Sequence, residues 1–310
     1  MMKTMKKHIY LLVFLLSTLT VYAQQDPMFT QYMNNPISIN PAIAGSREVA
    51  NLTSIFRKQW IGIDGAPSTM SLTFDNSFKE NKVGLGTSII YDVIGPVIQT
   101  GLYFDYSYHL MFEDQKKLSL GLMGGFNYYH FDLVNLRSYS EDDDIATDGY
   151  SSKFLPNFGV GIFYYTPNFF IGASVPKLLQ NSLEDSDESL ESENREERHY
   201  FLMSGCIFNI DEDIKLKPSA ITRIVAGSPV NFDLNLTLML KDKFWIGATY
   251  RFKNSVGGIV RWQLNDQLHL GYSYDYSTSL ISNYNYGSHE IFISYDFIRK
   301  GERKIRQRFF

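Results

Sequence analysis

The chain has 310 residues, 15% of them aromatic, and a formal net charge of −4. This charge argues against a nucleic-acid-binding protein, and no basic groove is visible in the pattern of the strands. The single cysteine, Cys206, excludes an intramolecular disulfide, and we expect a buried thiol within a strand.

Residues 1–23 have the pattern of a secretory signal peptide. Three lysines precede an apolar run from Ile9 to Leu19, and Val21-Tyr22-Ala23 forms a small-residue cleavage site. The run is too short for a membrane-spanning helix, and no second run of about 18 apolar residues follows. The sequence therefore predicts an exported protein that can cross a membrane only as a closed barrel.

Residues 24–48, here called the strap, have neither the period of a helix nor that of a strand. The segment is rich in proline and asparagine, which is typical of irregular structure, at Pro27, Asn34, Asn35, Pro36, Asn40 and Pro41. We expect the strap to plug the lumen of the barrel that follows it.

From residue 49 to residue 298, apolar and polar residues alternate in runs of about ten, which is typical of transmembrane β-strands. In 268–277, leucines and tyrosines share one face and polar residues the other. In several different strands the charged residues occupy positions of the polar face, as do Asp105, Asp233 and Arg251. We predict an all-β, transmembrane antiparallel β-barrel of about fourteen strands. The predicted strands lie near residues 49–57, 67–75, 82–91, 98–110, 116–130, 154–165, 168–175, 199–209, 214–224, 230–240, 243–252, 255–264, 267–277 and 288–297.

Long connections are predicted at 131–153, 176–198 and 278–287, and each follows an odd-numbered strand, so all three share one side. Because outer-membrane barrels have short periplasmic turns and longer external loops, we expect these connections outside the cell and both termini in the periplasm. Segments 141–144 and 183–197 are acidic, which indicates either solvated loops or a divalent-ion site. The basic tail, 299–310, is either a solvated periplasmic end, with possible contact to anionic lipid, or a docking site for an acidic partner.

Nothing in the sequence favours an enzyme, a cofactor or a metal site. Asp105, Ser107 and His109 share one strand face and leave a hydrolase as a remote alternative, but such neighbours are about 6.5–7 Å apart at Cα. We expect them to line a polar lumen. The glycines at 84, 86, 159 and 161 lack the third glycine of a dinucleotide site and are interpreted as strand glycines.

The strap carries a family resemblance. Gln25-Asp26-Pro27-Met-Phe-Thr-Gln31-Tyr32 and Asn40-Pro41-Ala42-Ile-Ala-Gly45 closely resemble the opening of the PorP/SprF family of outer-membrane proteins. Matches continue in order along nearly the whole mature chain, at Arg57-Lys-Gln59-Trp60, Val83–Gly86, Pro156–Gly161, Gly271–Asp275 and Gly287–Ile291. The main departure is Ile43, where tyrosine is commoner.

The resemblance implies a non-enzymatic outer-membrane component of the type IX secretion system, which exports or anchors a large, gliding-adhesin-like surface protein with a C-terminal sorting domain. A core component contacting the periplasmic ring or other secretion components, and a diffusion porin, remain open as alternatives. The expected environment is outer-membrane lipid, with no nucleic acid. The candidate partner-binding residues are Asp26, Pro27, Gln31, Tyr32, Asn35, Pro36, Asn40, Pro41, Gly45, Arg57, Trp60, His289 and Glu290.

Overall fold

The computed structural model describes residues 27–132, 150–183 and 195–298. Within them, fifteen strand segments form one sheet, and two of these segments, on either side of Ile207, continue a single strand, which leaves fourteen. The strands are β1 (Asn51–Lys58), β2 (Ser68–Phe78), β3 (Val83–Ile94), β4 (Val97–Met111), β5 (Lys117–Asp132), β6 (Tyr150–Tyr165), β7 (Phe169–Val175), β8 (His199–Cys206 with Phe208–Asn209), β9 (Ile214–Val225), β10 (Asn231–Leu240), β11 (Phe244–Arg251), β12 (Ser255–Gln263), β13 (Leu268–Ser277) and β14 (Ser288–Asp296).

Each strand pairs antiparallel with its neighbours in the chain, and β1 also pairs with β14, from Asn51 with Asp296 to Lys58 with His289. We call this β1–β14 pairing the seam. It closes the sheet, so that no strand edge is left without a hydrogen-bonded partner. The predicted closed barrel of about fourteen strands is confirmed.

The two faces of the barrel wall differ as the alternation predicted. Phe104 and Leu122 point outward with 58% and 60% of their surface exposed, whereas Ser107 and Asn127 point inward and are fully buried. Arg251 also lies inward, 4% exposed, in an ion pair with Asp233. The wall therefore has an apolar outer surface, as a barrel in lipid requires. Its inner surface is largely polar, with an apolar cluster that packs against the strap, at Ile55, Phe163, Phe170, Phe201 and Phe292.

The pairing of β8 with β9 is interrupted at Pro218. In the register set by Ser219–Gly205 and Leu216–Phe208, Pro218 falls opposite Cys206, and proline has no N–H to donate to the ladder.

Cys206 lies on the outward face of β8 and is half-buried, so the expectation of a buried thiol was wrong.

Connections that follow odd-numbered strands lie at one end of the barrel, here called the long-connection end, because the strands alternate in direction. They include 59–67, 176–198 and 278–287, and the predicted connection at 131–153, most of which is outside the described residues. The opposite, short-turn end carries 79–82, 112–116, 166–168, 210–213, 241–243 and 264–267. The strand ends that flank the three predicted long connections lie at this end, and residues 133–149 and 184–194 within two of them are outside the described residues.

The described part of the strap lies inside the ring of strands and consists of three 3-10 turns, Tyr32–Asn34, Pro36–Ser38 and Pro41–Ile43. Proline is the first residue of the second and third turns, where its fixed φ suits the turn. The first N–H of a turn has no partner within it, so the N–H that proline lacks removes no hydrogen bond there. Asn40 caps the third turn by accepting a hydrogen bond from the Ala42 N–H at 3.0 Å. No helix among the described residues is long and apolar enough to cross a membrane.

The strap runs from the long-connection end to the short-turn end. Pro27 lies beside Trp60 and Asn254 at the first, and Gly45 lies against Ser77 and Gly84 near the second. The chain then enters β1 and finally leaves β14 at the short-turn end. The described residues thus begin and end at opposite ends of the barrel, and the termini themselves, 1–26 and 299–310, lie outside the described residues.

Candidate functional site

A groove of inward-facing glycines receives the strap. A Cβ atom added at Gly84 would lie less than 3.0 Å from Ala44, one at Gly121 would overlap Ala42, and one at Gly161 would overlap Asn40. The neighbouring atoms are strap backbone at Gly84 and Gly121 and the Asn40 side-chain oxygen at Gly161, and only glycine leaves room for them. The sequence already placed these glycines on the inward, polar face of their strands. It did not show that the strap is the segment that packs against them.

A buried charged cluster fixes the first strap turn to the seam. Arg57 on β1 donates to Glu290 on β14 at 3.2 Å and to Asp275 on β13 at 3.0 Å. The two oxygens of Glu290 also accept the backbone N–H groups of Thr30 at 2.8 Å and Gln31 at 2.9 Å. The Thr30 hydroxyl donates to Asp275 and accepts from Arg57.

This cluster depends on all its members, because at most 3% of the side-chain surface of Arg57, Asp275 or Glu290 is exposed. Removing one partner from a buried ion pair typically costs about 3–5 kcal/mol, since an uncompensated charge is left behind. Glu290 therefore ties together the strap, β1 and β14.

The middle of the strap is held by its asparagines. The side-chain oxygen of Asn35 accepts from the Thr73 hydroxyl at 2.9 Å, and the Asn40 amide donates to the Ile162 carbonyl at 3.2 Å. Both asparagines are at most 2% exposed. Nearby, Tyr32 packs with Phe29 edge to face and donates its hydroxyl to the Pro27 carbonyl at 3.0 Å.

The end of the strap contacts β2 and β4. Gly45, with φ of +70°, donates its N–H to Asp75 at 2.8 Å. Ser107 donates to the Ala44 carbonyl at 2.6 Å, and Nε2 of His109 lies 3.1 Å from the same oxygen. Nδ1 of His109 faces Ser119 and not Asp105, whose carboxylate oxygens bond no described group. The arrangement holds the strap and lacks the acid–histidine contact of a hydrolase.

A cavity of about 550 Å³ opens between the strap and the wall at the long-connection end. We call it the mouth cavity. Its lining includes the aromatic side chains of Trp60, Tyr129 and Phe131 and the carboxylates of Asp92, Glu196 and Glu197.

Most of the predicted partner-binding residues converge on the strap and its seat. Gln31, Arg57 and Glu290 meet in the charged cluster, and Pro27 and Trp60 line the mouth cavity. His289 does not join them, because it lies on the outward phase of β14, against Tyr272 and Tyr274. Asp26 lies outside the described residues. The glycine groove and the carboxylates of the mouth cavity are the features that sequence reasoning missed.

Comparison with known proteins adds two findings. The sequence profile of the family described as type IX secretion system membrane protein PorP/SprF matches residues 21–295. No curated protein matches the chain.

Solved structures similar to this chain include a channel, an outer-membrane protein and a translocator domain. The monoaromatic hydrocarbon channel CymD matches with a TM-score of 0.52 and 12% identity, over 88% of this chain and 94% of that chain. Omp33, an outer-membrane protein of Acinetobacter baumannii, gives 0.48 and 10% identity over 81% and 98%. The translocator domain of the autotransporter NalP from Neisseria meningitidis gives 0.43 and 10% over 80% and 88%. The likeness to CymD concerns the fold alone.

Proposed function

Because the chain belongs to the PorP/SprF family of type IX secretion system membrane proteins, we propose that it helps to export or anchor one large cell-surface protein with a C-terminal sorting domain. The chain is a type IX secretion component of the outer membrane. The proposal concerns its finer role, which is non-enzymatic handling of a partner.

The observation that carries the proposal is the seated strap. Residues 27–45 pack against the inward-facing side of the wall, where buried charges and close contacts to glycines hold them. An open path for small solutes is not expected in such a barrel. A lumen that holds this segment leaves the two ends of the barrel for protein binding, and we assign partner binding to the strap and its seat.

Two alternative functions make different predictions. A core component contacting the periplasmic ring would use its short-turn end and would serve all exported proteins. A diffusion porin would need the strap to leave the lumen. The Ser107 and His109 contacts to Ala44 favour a structural role for these residues over hydrolysis.

A chromosomal deletion separates these roles. Proteins at the cell surface and in the medium would be quantified by mass spectrometry in the deletion strain and in a complemented strain. We expect loss of one large surface protein with a C-terminal sorting domain. Loss of every type IX substrate would instead identify a core component.

The porin alternative is tested with purified protein in planar bilayers. We expect little steady conductance from the intact chain, because the strap occupies the lumen. A large, stable conductance together with normal export in the deletion strain would contradict the proposed function.

A further inference from the structure

The mouth cavity is negatively charged. Asp92, Glu196 and Glu197 line it, each at most 7% exposed, and no lysine or arginine is among its described lining residues. Arg195, outside that lining, pairs with Glu197 at 2.9 Å and partly offsets its charge. Glu196 accepts hydrogen bonds from Asn127, Tyr129, Asn157 and Asn181, all neutral donors, so these contacts hold the carboxylate in place without cancelling its charge.

The same cavity has an aromatic wall. Tyr129 and Phe131 lie with their rings nearly parallel, 6.2 Å apart, and Trp60 lines the cavity beside Pro27. Aromatic faces attract ammonium and guanidinium groups, and they do so more strongly where water is excluded. Carboxylates and aromatic rings around one cavity together favour a cationic side chain over a neutral or anionic one.

An exposed apolar rim lies next to this cavity on the 278–287 connection. Leu280, Tyr284 and Tyr286 are 85%, 75% and 78% exposed, well above the outward side chains of the strands. The rim is ordered by backbone hydrogen bonds, from the Ile61 N–H to Gly287 at 2.9 Å and from the Tyr286 N–H to Ile61 at 2.7 Å. Because the connection is held in shape, these side chains lose little conformational entropy when a partner binds.

We propose that the long-connection end is a receptor for a cationic polypeptide segment, whose lysine or arginine enters the mouth cavity while flanking apolar residues pack on the rim. The inference rests on the proposed function and specifies the chemistry of the partner segment. The carboxylates of the cavity support the choice of a cationic partner over a lipid phosphate or a second copy of this end, because either of these would bring like charge.

The test uses the full-length barrel in detergent and short fluorescein-labelled peptides that carry arginine, leucine and tyrosine. We expect the arginine peptide to bind, its Arg→Gln analogue to bind roughly tenfold more weakly, and an Arg→Glu analogue not to bind. Binding should weaken with added salt, because part of the attraction is screened at the open cavity. Equal binding of the arginine and glutamine peptides would overturn the proposal.

Variants locate the site. Asp92→Asn keeps an acceptor for the Thr69 hydroxyl and removes one charge, and Tyr286→Ala removes one rim side chain; each should weaken binding several-fold. Phe112→Ala, an exposed aromatic at the short-turn end, serves as the control and should bind normally. Unchanged binding by both mouth variants would also overturn the proposal. If the deletion strain loses its surface protein but the barrel binds none of the peptides, the proposed function is retained and the receptor for a cationic segment is rejected.

Discussion

Arg57 and Glu290 face each other across the seam, directly paired in register, with their side chains 3.2 Å apart and almost fully buried. Glu290 also accepts two strap N–H groups, so one carboxylate joins the first strand, the last strand and the strap. Both residues were predicted as partner-binding candidates, and their geometry gives them a structural role as well.

Glu290→Gln should destabilise the barrel by about 1–3 kcal/mol, because an amide has one acceptor oxygen for the two strap N–H groups that bind the two carboxylate oxygens, so one buried donor would lose its partner. Urea unfolding of the protein in lipid vesicles, followed by tryptophan fluorescence, would measure the loss. Asp114→Asn, which removes one partner of the exposed Lys116–Asp114 pair, is the control and should cost less than about 1 kcal/mol. Equal losses would contradict the buried cluster.

Gly121→Ala should displace the strap, because the new Cβ would overlap the backbone of Ala42. We expect a loss of about 1–3 kcal/mol in unfolding free energy, typical of overpacking, and a strap that becomes sensitive to protease. Gly258→Ala is the matched control, since a Cβ there meets nothing within 4 Å. A strap that stays protected in Gly121→Ala would show that its seat lies elsewhere.

Leu236→Arg should impair insertion by about 2–4 kcal/mol, because Leu236 is 50% exposed on the outer face of β10 and a charge there would face hydrocarbon. Heat-modifiable migration of the outer-membrane fraction reports correct assembly. Leu280 lies on a connection and is 85% exposed, so the control variant Leu280→Arg should assemble normally. The two variants behaving alike would argue against a lipid-facing position for Leu236.

The orientation of the barrel can be tested with single cysteines in a Cys206→Ser background. A membrane-impermeant maleimide on intact cells should label Tyr284→Cys at the long-connection end and spare Asp114→Cys at the short-turn end. Lysed cells should label both. The reverse pattern on intact cells would place the long connections in the periplasm.

Gln31→Ala should reduce surface display of the partner protein while a heat-modifiable barrel still forms. The Gln31 side chain accepts a hydrogen bond from Asn34 at 3.0 Å and donates one to Ser273 at 3.4 Å, and its backbone bond to Glu290 survives the substitution. Antibody labelling of intact cells measures display. Wild-type display by a normally assembled variant would leave the strap with a structural role only.

The strands could be predicted because a barrel wall imposes a period of two on every segment that crosses lipid. For that reason Phe104 lies on the outer face and Arg251 on the inner face, as predicted. The path of the strap could not be predicted, because it follows no period and its position depends on space left at Gly84, Gly121 and Gly161. The mouth cavity was missed for a similar cause: Asp92 and Glu196 are far apart in sequence and meet only after the barrel closes.

The seat of the strap has a consequence for the order of assembly. The glycine groove on β3, β5 and β6 can receive Asn40, Ala42 and Ala44 before the later strands pair, since all of these elements precede β7 in the chain. The acceptor for Thr30 and Gln31, in contrast, is on the last strand. Pairing of β14 with β1 therefore closes the wall and brings Glu290 to the strap in the same step.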